Sequence, residues 1–182
     1  MAIRQIEILK QVSATVEGTF GNLSRDQLNW KPGPDRWSIA QCLDHLIRTN
    51  EGYLSQLAEI SLGIKRKSLW ERLPFLPAIF GKMLLKASHP EAQGKMKAPK
   101  AFEPLQSNLP AEITGHFLAH NRALIRQYEK LPQGNLASYR LTSPASKVIV
   151  LRLEDVVQLL PAHEQRHLQQ ALRVMQTEEF PG

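Results

Sequence analysis

Four stretches of this chain repeat apolar residues at threes and fours, and only one short run is rich in β-branched residues, so helices must supply the core. In the first stretch Ile3, Ile6, Leu9, Val12, Val16 and Phe20 form one stripe of a helix over about 2–20, which Gly21 and Asn22 end. A second helix is expected over about 38–63, with Ile39, Cys42, Leu43, Leu46, Tyr53, Leu54 and Leu57 on its apolar face. Ser38 can cap it, and Gln41, three residues on, completes a capping box. Pro110 suits the start of a third helix over about 111–131, whose apolar residues are Ile113, Phe117, Leu124, Ile125 and Tyr128. The last, over about 154–177, turns Val156, Val157, Leu160, Leu168, Ala171, Leu172 and Met175 inward. Pro161 within it removes one backbone hydrogen bond. The single β-branched run, Lys147 to Leu151, cannot build a sheet alone and is expected as an extended connection.

A chain of 182 residues, 42% hydrophobic, is ample for one core and short for two, which predicts a single domain over 1–182. No apolar run reaches the length of a membrane span, and a cytoplasmic protein is expected. Cys42, the only cysteine, excludes an internal disulfide and fits a reducing compartment. On an apolar helix face it reads as a buried, inert thiol.

The net charge of +6 belongs to one segment: 65–100 holds nine basic residues against Glu71 and Glu91, leaving the rest near neutrality. This basic insert, about 65–104, is apolar in its middle, partly helical in pattern and broken by Pro74 and Pro77. No recognition-helix motif, stacked-aromatic signature or finger spacing accompanies it, so specific nucleic-acid binding is not expected. The two prolines also disfavour a helix lying on a membrane. As a lid over one end of a helical bundle, the insert would set a lysine-rich rim that favours small anionic substrates.

His163-Glu164-Gln165-Arg166-His167 puts two imidazoles one helical turn apart, a spacing at which one rigid element gives a divalent metal two ligands. The letters match those of zinc proteases, yet that class needs a third ligand downstream and a sheet edge for its peptide. Neither is available, because no histidine follows His167. His116 and His120, on the flank of the third helix, form a rival metal pair at the same spacing and read as solvated or edge histidines. His45 projects at the border of the second apolar face, where a lone histidine would ordinarily bond a neighbouring polar group.

The block Asp35-Arg36-Trp37-Ser38-Ile39-Ala40-Gln41-Cys42-Leu43-Asp44-His45-Leu46 resembles the signature of the DinB-like (DNA-damage-inducible, YfiT-type) superfamily. Lys95 to Pro104 is similar to the basic, proline-containing linker of one branch, and Leu141-Thr142-Ser143-Pro144 with Ala162 to Gln170 is similar to its terminal block. The resemblance implies an all-α four-helix bundle of the DinB/YfiT type, with the basic segment inserted between the second and third long helices. It implies a homodimer and a divalent metal on three histidines, which by position are His45, His163 and His167. Zinc or nickel suits such a site, although imidazole alone does not choose between them. Glu164 is then a candidate general base, or a group that orients the ligands, against the alternative of a helix-face salt bridge. Asp44 and Gln170 could orient imidazoles or substrate. Two kinds of function are compatible with these residues. One is a metal-dependent hydrolase, or a transferase using a low-molecular-weight thiol; the other is a non-catalytic or metal-free bundle that dimerises or binds a small molecule.

Overall fold

The computed structural model describes residues 2–73, 76–88, 102–104 and 106–182. Its long helices are α1 (Ala2–Phe20), α3 (Ile39–Ser61), α5 (Ile113–Glu129) and α6 (Leu153–Met175). The shorter ones are α2 (Arg25–Asn29) and α4 (Leu76–Ser88). Local chemistry sets where they begin. Ser24 and Gln27 make a capping box for α2, as Ser38 and Gln41 do for α3: Gln41 N–H donates to Ser38 Oγ at 3.1 Å, and Ser38 N–H donates to Gln41 Oε1 at 3.2 Å.

Helix α1 packs on α5 and α6, and α3 packs on the same two, so α1 stands diagonal to α3 and α5 to α6. Two apolar clusters fix the directions. Ile6 and Leu9 of α1 meet Tyr53, Leu57 and Ile60 of α3, Leu124 and Tyr128 of α5, and Val156, Val157 and Leu160 of α6. Val12, Val16 and Phe20 meet Ile39, Leu43 and Leu46, Ile113 and Phe117, and Leu168, Ala171 and Val174. Helices α1 and α6 therefore run from the first cluster to the second, and α3 and α5 run back.

Three fully buried polar side chains, Asn50, Asn121 and Glu164, fall between these clusters along their helices. Asn121 Nδ2 donates to the Leu9 carbonyl at 3.1 Å and to Ser13 Oγ at 3.0 Å, tying α5 to α1. Asn50 Nδ2 donates to Glu164 Oε1 at 2.6 Å, tying α3 to α6.

Helix α6 runs on through Pro161, which has no N–H for the Val157 carbonyl. The buried Tyr128 hydroxyl reaches that carbonyl at 3.4 Å and the Val156 carbonyl at 3.3 Å, so α5 supplies the donor that proline removes.

The β-branched run is not alone, contrary to the expectation of a lone extended connection. Strand β1 (Arg140–Thr142) pairs antiparallel with β2 (Val150–Arg152), Leu141 opposite Leu151. Both leucines are fully buried in the first cluster, which anchors a ribbon too short to stand by itself. Gly52 of α3 lies against the Pro144 ring, where a methyl group would overlap it; glycine lets the ribbon's turn seat on the bundle.

The insert is helical in part, as expected, and α4 packs on α6 and β2. Not all of its charge is solvated. Glu71, which is buried, accepts from Lys65 Nζ at 3.2 Å, Ser68 N–H at 2.9 Å and Thr142 Oγ1 at 2.9 Å, fastening the loop before α4 to β1. Arg66, Lys67, Arg72, Lys82 and Lys86 are exposed, while Lys95, Lys97 and Lys100 lie outside the described residues. No described helix is long and apolar enough to cross a membrane.

Candidate metal centre

The cap at Ser38 sets the phase of α3, and His45, Thr49 and Tyr53 follow at four-residue steps along the wall of one cavity of about 890 Å³. From α6, which lies antiparallel alongside, His163, Arg166, His167, Gln170 and Arg173 reach the same cavity. Phe102 and Glu103 also line it, together with Leu84, Ala87 and Ser88 of α4 and Ser143, Ala145 and Ile149 of the ribbon. Part of the insert, α4, thus contributes to the cavity wall. The insert's described lysines do not line the cavity; among the described residues the arginines that do are Arg36, Arg166 and Arg173.

His45, His163 and His167 converge. One ring nitrogen from each lies within 4.8 Å of the others, and the ring centroids are 4.5–5.0 Å apart. His45 Nδ1 stands 2.7 Å from the Phe102 carbonyl, an acceptor, so Nδ1 carries the proton and the Nε2 lone pair is left facing His163. His45 Nε2 and His163 Nε2 are 3.2 Å apart. At metal–nitrogen distances of about 2.0–2.1 Å, two ligands of a tetrahedral ion stand about 3.3 Å apart, so the observed pair is already at ligand spacing. Trp37, the residue before the cap, stacks on His167 with ring centroids 5.6 Å apart and leans on His45 at 4.9 Å, walling one side of the cluster.

The electrostatics keep the imidazoles neutral and so able to act as ligands. Burial holds the imidazoles below the ordinary histidine range: His45 is lowered despite its bond to Phe102 and the Asp44 charge, and His163 well lowered by burial, His167, His45 and Arg166. His167 is pushed down to about 3 by burial, His45 and Arg166, with Gln170 working the other way. Three neutral imidazoles with converging ring nitrogens are the donor set that suits a borderline divalent ion. The buried Nδ1 atoms of His163 and His167 have no hydrogen-bond partner among the described residues.

The remaining candidate residues are placed differently from one another. Glu164 is fully buried on the core side of α6, outside the cavity lining; it faces Asn50 and has no ion pair among the described residues. Burial pushes its carboxyl up to about 8, against the Asn50 hydrogen bond. Asp44 pairs with Arg48 at 3.3 Å and reaches His45 by charge alone, whereas Gln170 lies beside His167 on the cavity wall. His116 is exposed and His120 half-buried on α5, and among the described residues neither joins a group able to hold a metal. Cys42 is fully buried and its thiol is pushed up to about 12, as an inert core residue requires.

Sequence reasoning did not find the Phe102 carbonyl or Asn50. A backbone acceptor leaves no mark on residue identity, and a buried asparagine on a helix looks like any polar interruption of a stripe. The model of one family, the DinB superfamily, matches residues 8–171. No curated protein and no solved structure matches the chain.

Proposed function

The chain belongs to the DinB superfamily, and we propose that it is a metal-dependent enzyme acting on a small substrate: a hydrolase, or a transferase using a low-molecular-weight thiol. The observation that carries this reading is the convergence of three neutral imidazoles on the wall of a cavity large enough for a small molecule. Zinc or nickel bound there would keep an open position and supply activated water near neutral pH, or hold a thiol deprotonated. The protein's own groups do the rest. The Phe102 carbonyl holds the His45 tautomer, Trp37 keeps solvent from one side, and Arg36, Arg166 and Arg173 draw anions to the mouth. Glu164, turned to Asn50, supports α6 beneath His163 and His167, which makes it a positioning residue in this reading.

The test is metal per chain, measured by elemental analysis on protein grown and purified without chelator, for the parent and for His163→Ala with His167→Ala. Near-stoichiometric metal in the parent and little in the double variant is expected. Equal, negligible occupancy in both would overturn the reading.

A second reading, a bundle that works as a homodimer through its surface, is favoured by one observation. Leu62, Ile64, Leu69 and Trp70 are each exposed, and so are Ile79 and Met83 of α4, which stand one turn apart. Light scattering on the full chain, with Ile79→Glu as the control, tests it: a parent that is monomeric at all concentrations would exclude it.

A further inference from the structure

The face that α6 turns to the cavity changes character along its length. Before His163 it presents Leu159 and Leu160, and across the cavity at that level stand Leu84 of α4 and Ile149 of the ribbon. Two polar groups there, the Tyr53 and Ser143 hydroxyls, bond each other at 3.4 Å. After His167 the face presents Gln170 and Arg173, and because α3 runs antiparallel, the loop before it brings Arg36 to the same end. Among the described residues neither Arg36 nor Arg173 makes an ion pair, and both are exposed. At about 1.5 Å per helical residue, Leu159 stands about 6 Å from the His163 level on one side and Arg173 about 9 Å from the His167 level on the other. The imidazoles lie between an apolar end and a cationic end.

We propose that this cavity takes an amphipathic carboxylate, its apolar acyl or alkyl group against Leu84, Ile149 and Leu159 and its carboxylate at Arg36 and Arg173. The bond to be acted on then lies at the imidazoles. The inference rests on the metal-site reading for that last part, but not for binding, because both ends are built by side chains. A monoanion fits better than a dianion, since Asp35 and Glu103 also line the wall and would repel additional negative charge. The planar fork of arginine matches a carboxylate with two parallel hydrogen bonds.

N-decanoylglycine is the probe, with N-acetylglycine lacking the tail and N-decanoylglycine methyl ester lacking the charge. Titration calorimetry is run on the full chain, both zinc-loaded and chelator-treated. N-decanoylglycine is expected to bind at least about tenfold more tightly than either control, since the ester forfeits the charge-assisted hydrogen bonds and N-acetylglycine the apolar burial. Arg173→Ala should bring it to the level of the methyl ester, and Leu84→Gln toward that of N-acetylglycine, at unchanged metal content. Three ligands that bind alike, an ester that equals the acid, or no binding by any of them would overturn the inference. The metal reading fails separately: a chain that takes up no metal yet keeps this order of ligands loses the proposed enzyme and keeps the proposed ligand.

Discussion

His45 Nε2 and His163 Nε2 lie 3.2 Å apart although 118 residues separate them in the chain, and the His45 proton is committed to the far side of its ring. Two helices are therefore packed at a separation that leaves the spacing of two ligands of one ion between them. That packing, more than the histidine pair on α6, distinguishes a site from two neighbouring residues.

Chelator-treated protein should lose stability in acid. The folded pKa of His167 is about 3, below its ordinary 6.5, so the unfolded chain takes up a proton that the folded one refuses. Stability contributed by the neutral ring is present above about 6.5 and falls as pH drops toward about 3, and His45 and His163 shift in the same direction. Thermal unfolding from pH 7.5 to 4 measures the slope. Replacing the three histidines by glutamine should flatten it; an unchanged slope would assign acid lability elsewhere.

Glu164 acts with the opposite sign. Its folded pKa, about 8, lies above its ordinary 4.5, so its contribution is fully present below about 4.5 and is lost as pH rises through 8. Glu164→Gln keeps an acceptor for Asn50 and cannot ionise. Its Tm should match the parent's near pH 4.5 and exceed it by about 4 °C or more at pH 8. A gap that narrows with pH would contradict the neutral buried acid.

Tyr128→Phe removes the hydroxyl that reaches the Val157 carbonyl, which Pro161 cannot serve. Leaving that acceptor buried and unbonded should cost about 1–3 kcal/mol in urea denaturation, with little change in m-value. A cost under about 0.5 kcal/mol would show that the carbonyl finds water instead.

Gly52→Ala should be poorly tolerated despite alanine's better helix propensity. The new methyl meets the rigid Pro144 ring, and the ribbon must move by more than a flexible side chain would. A loss of about 1–3 kcal/mol is expected, with α3 helicity preserved by circular dichroism. An alanine variant as stable as the parent would mean that the ribbon does not seat on α3 at this position.

Glu71→Ala should release the loop before α4. Lys65, which is largely buried, loses the carboxylate it donates to, and Thr142 and the Ser68 amide lose their acceptor. Limited proteolysis should cut faster around 62–73 than in the parent, at a global cost of about 2–4 kcal/mol.

The four long helices and the cap at Ser38 were legible because each rests on local spacing, a 3.6-residue stripe or a Ser-x-x-Gln pair. His45 became a candidate only by resemblance, since periodicity placed it at a border where a structural role was the ordinary expectation. The ribbon was half-seen. Leu141 belongs to three residues with no alternation to mark them, and its pairing with Leu151 is a tertiary fact. The inward turn of Glu164, one residue from His163, was not readable either, because the phase of α6 against α3 decides it.

The last helix carries two of the three converging imidazoles, and its neighbour α3 holds the other more than a hundred positions earlier. During synthesis His45 leaves the ribosome in a chain that already contains α1 and α3 yet offers an ion a single nitrogen. Every nascent chain shorter than α6 thus lacks two of the three converging imidazoles, and a group built from all three can assemble only once α6 has been made.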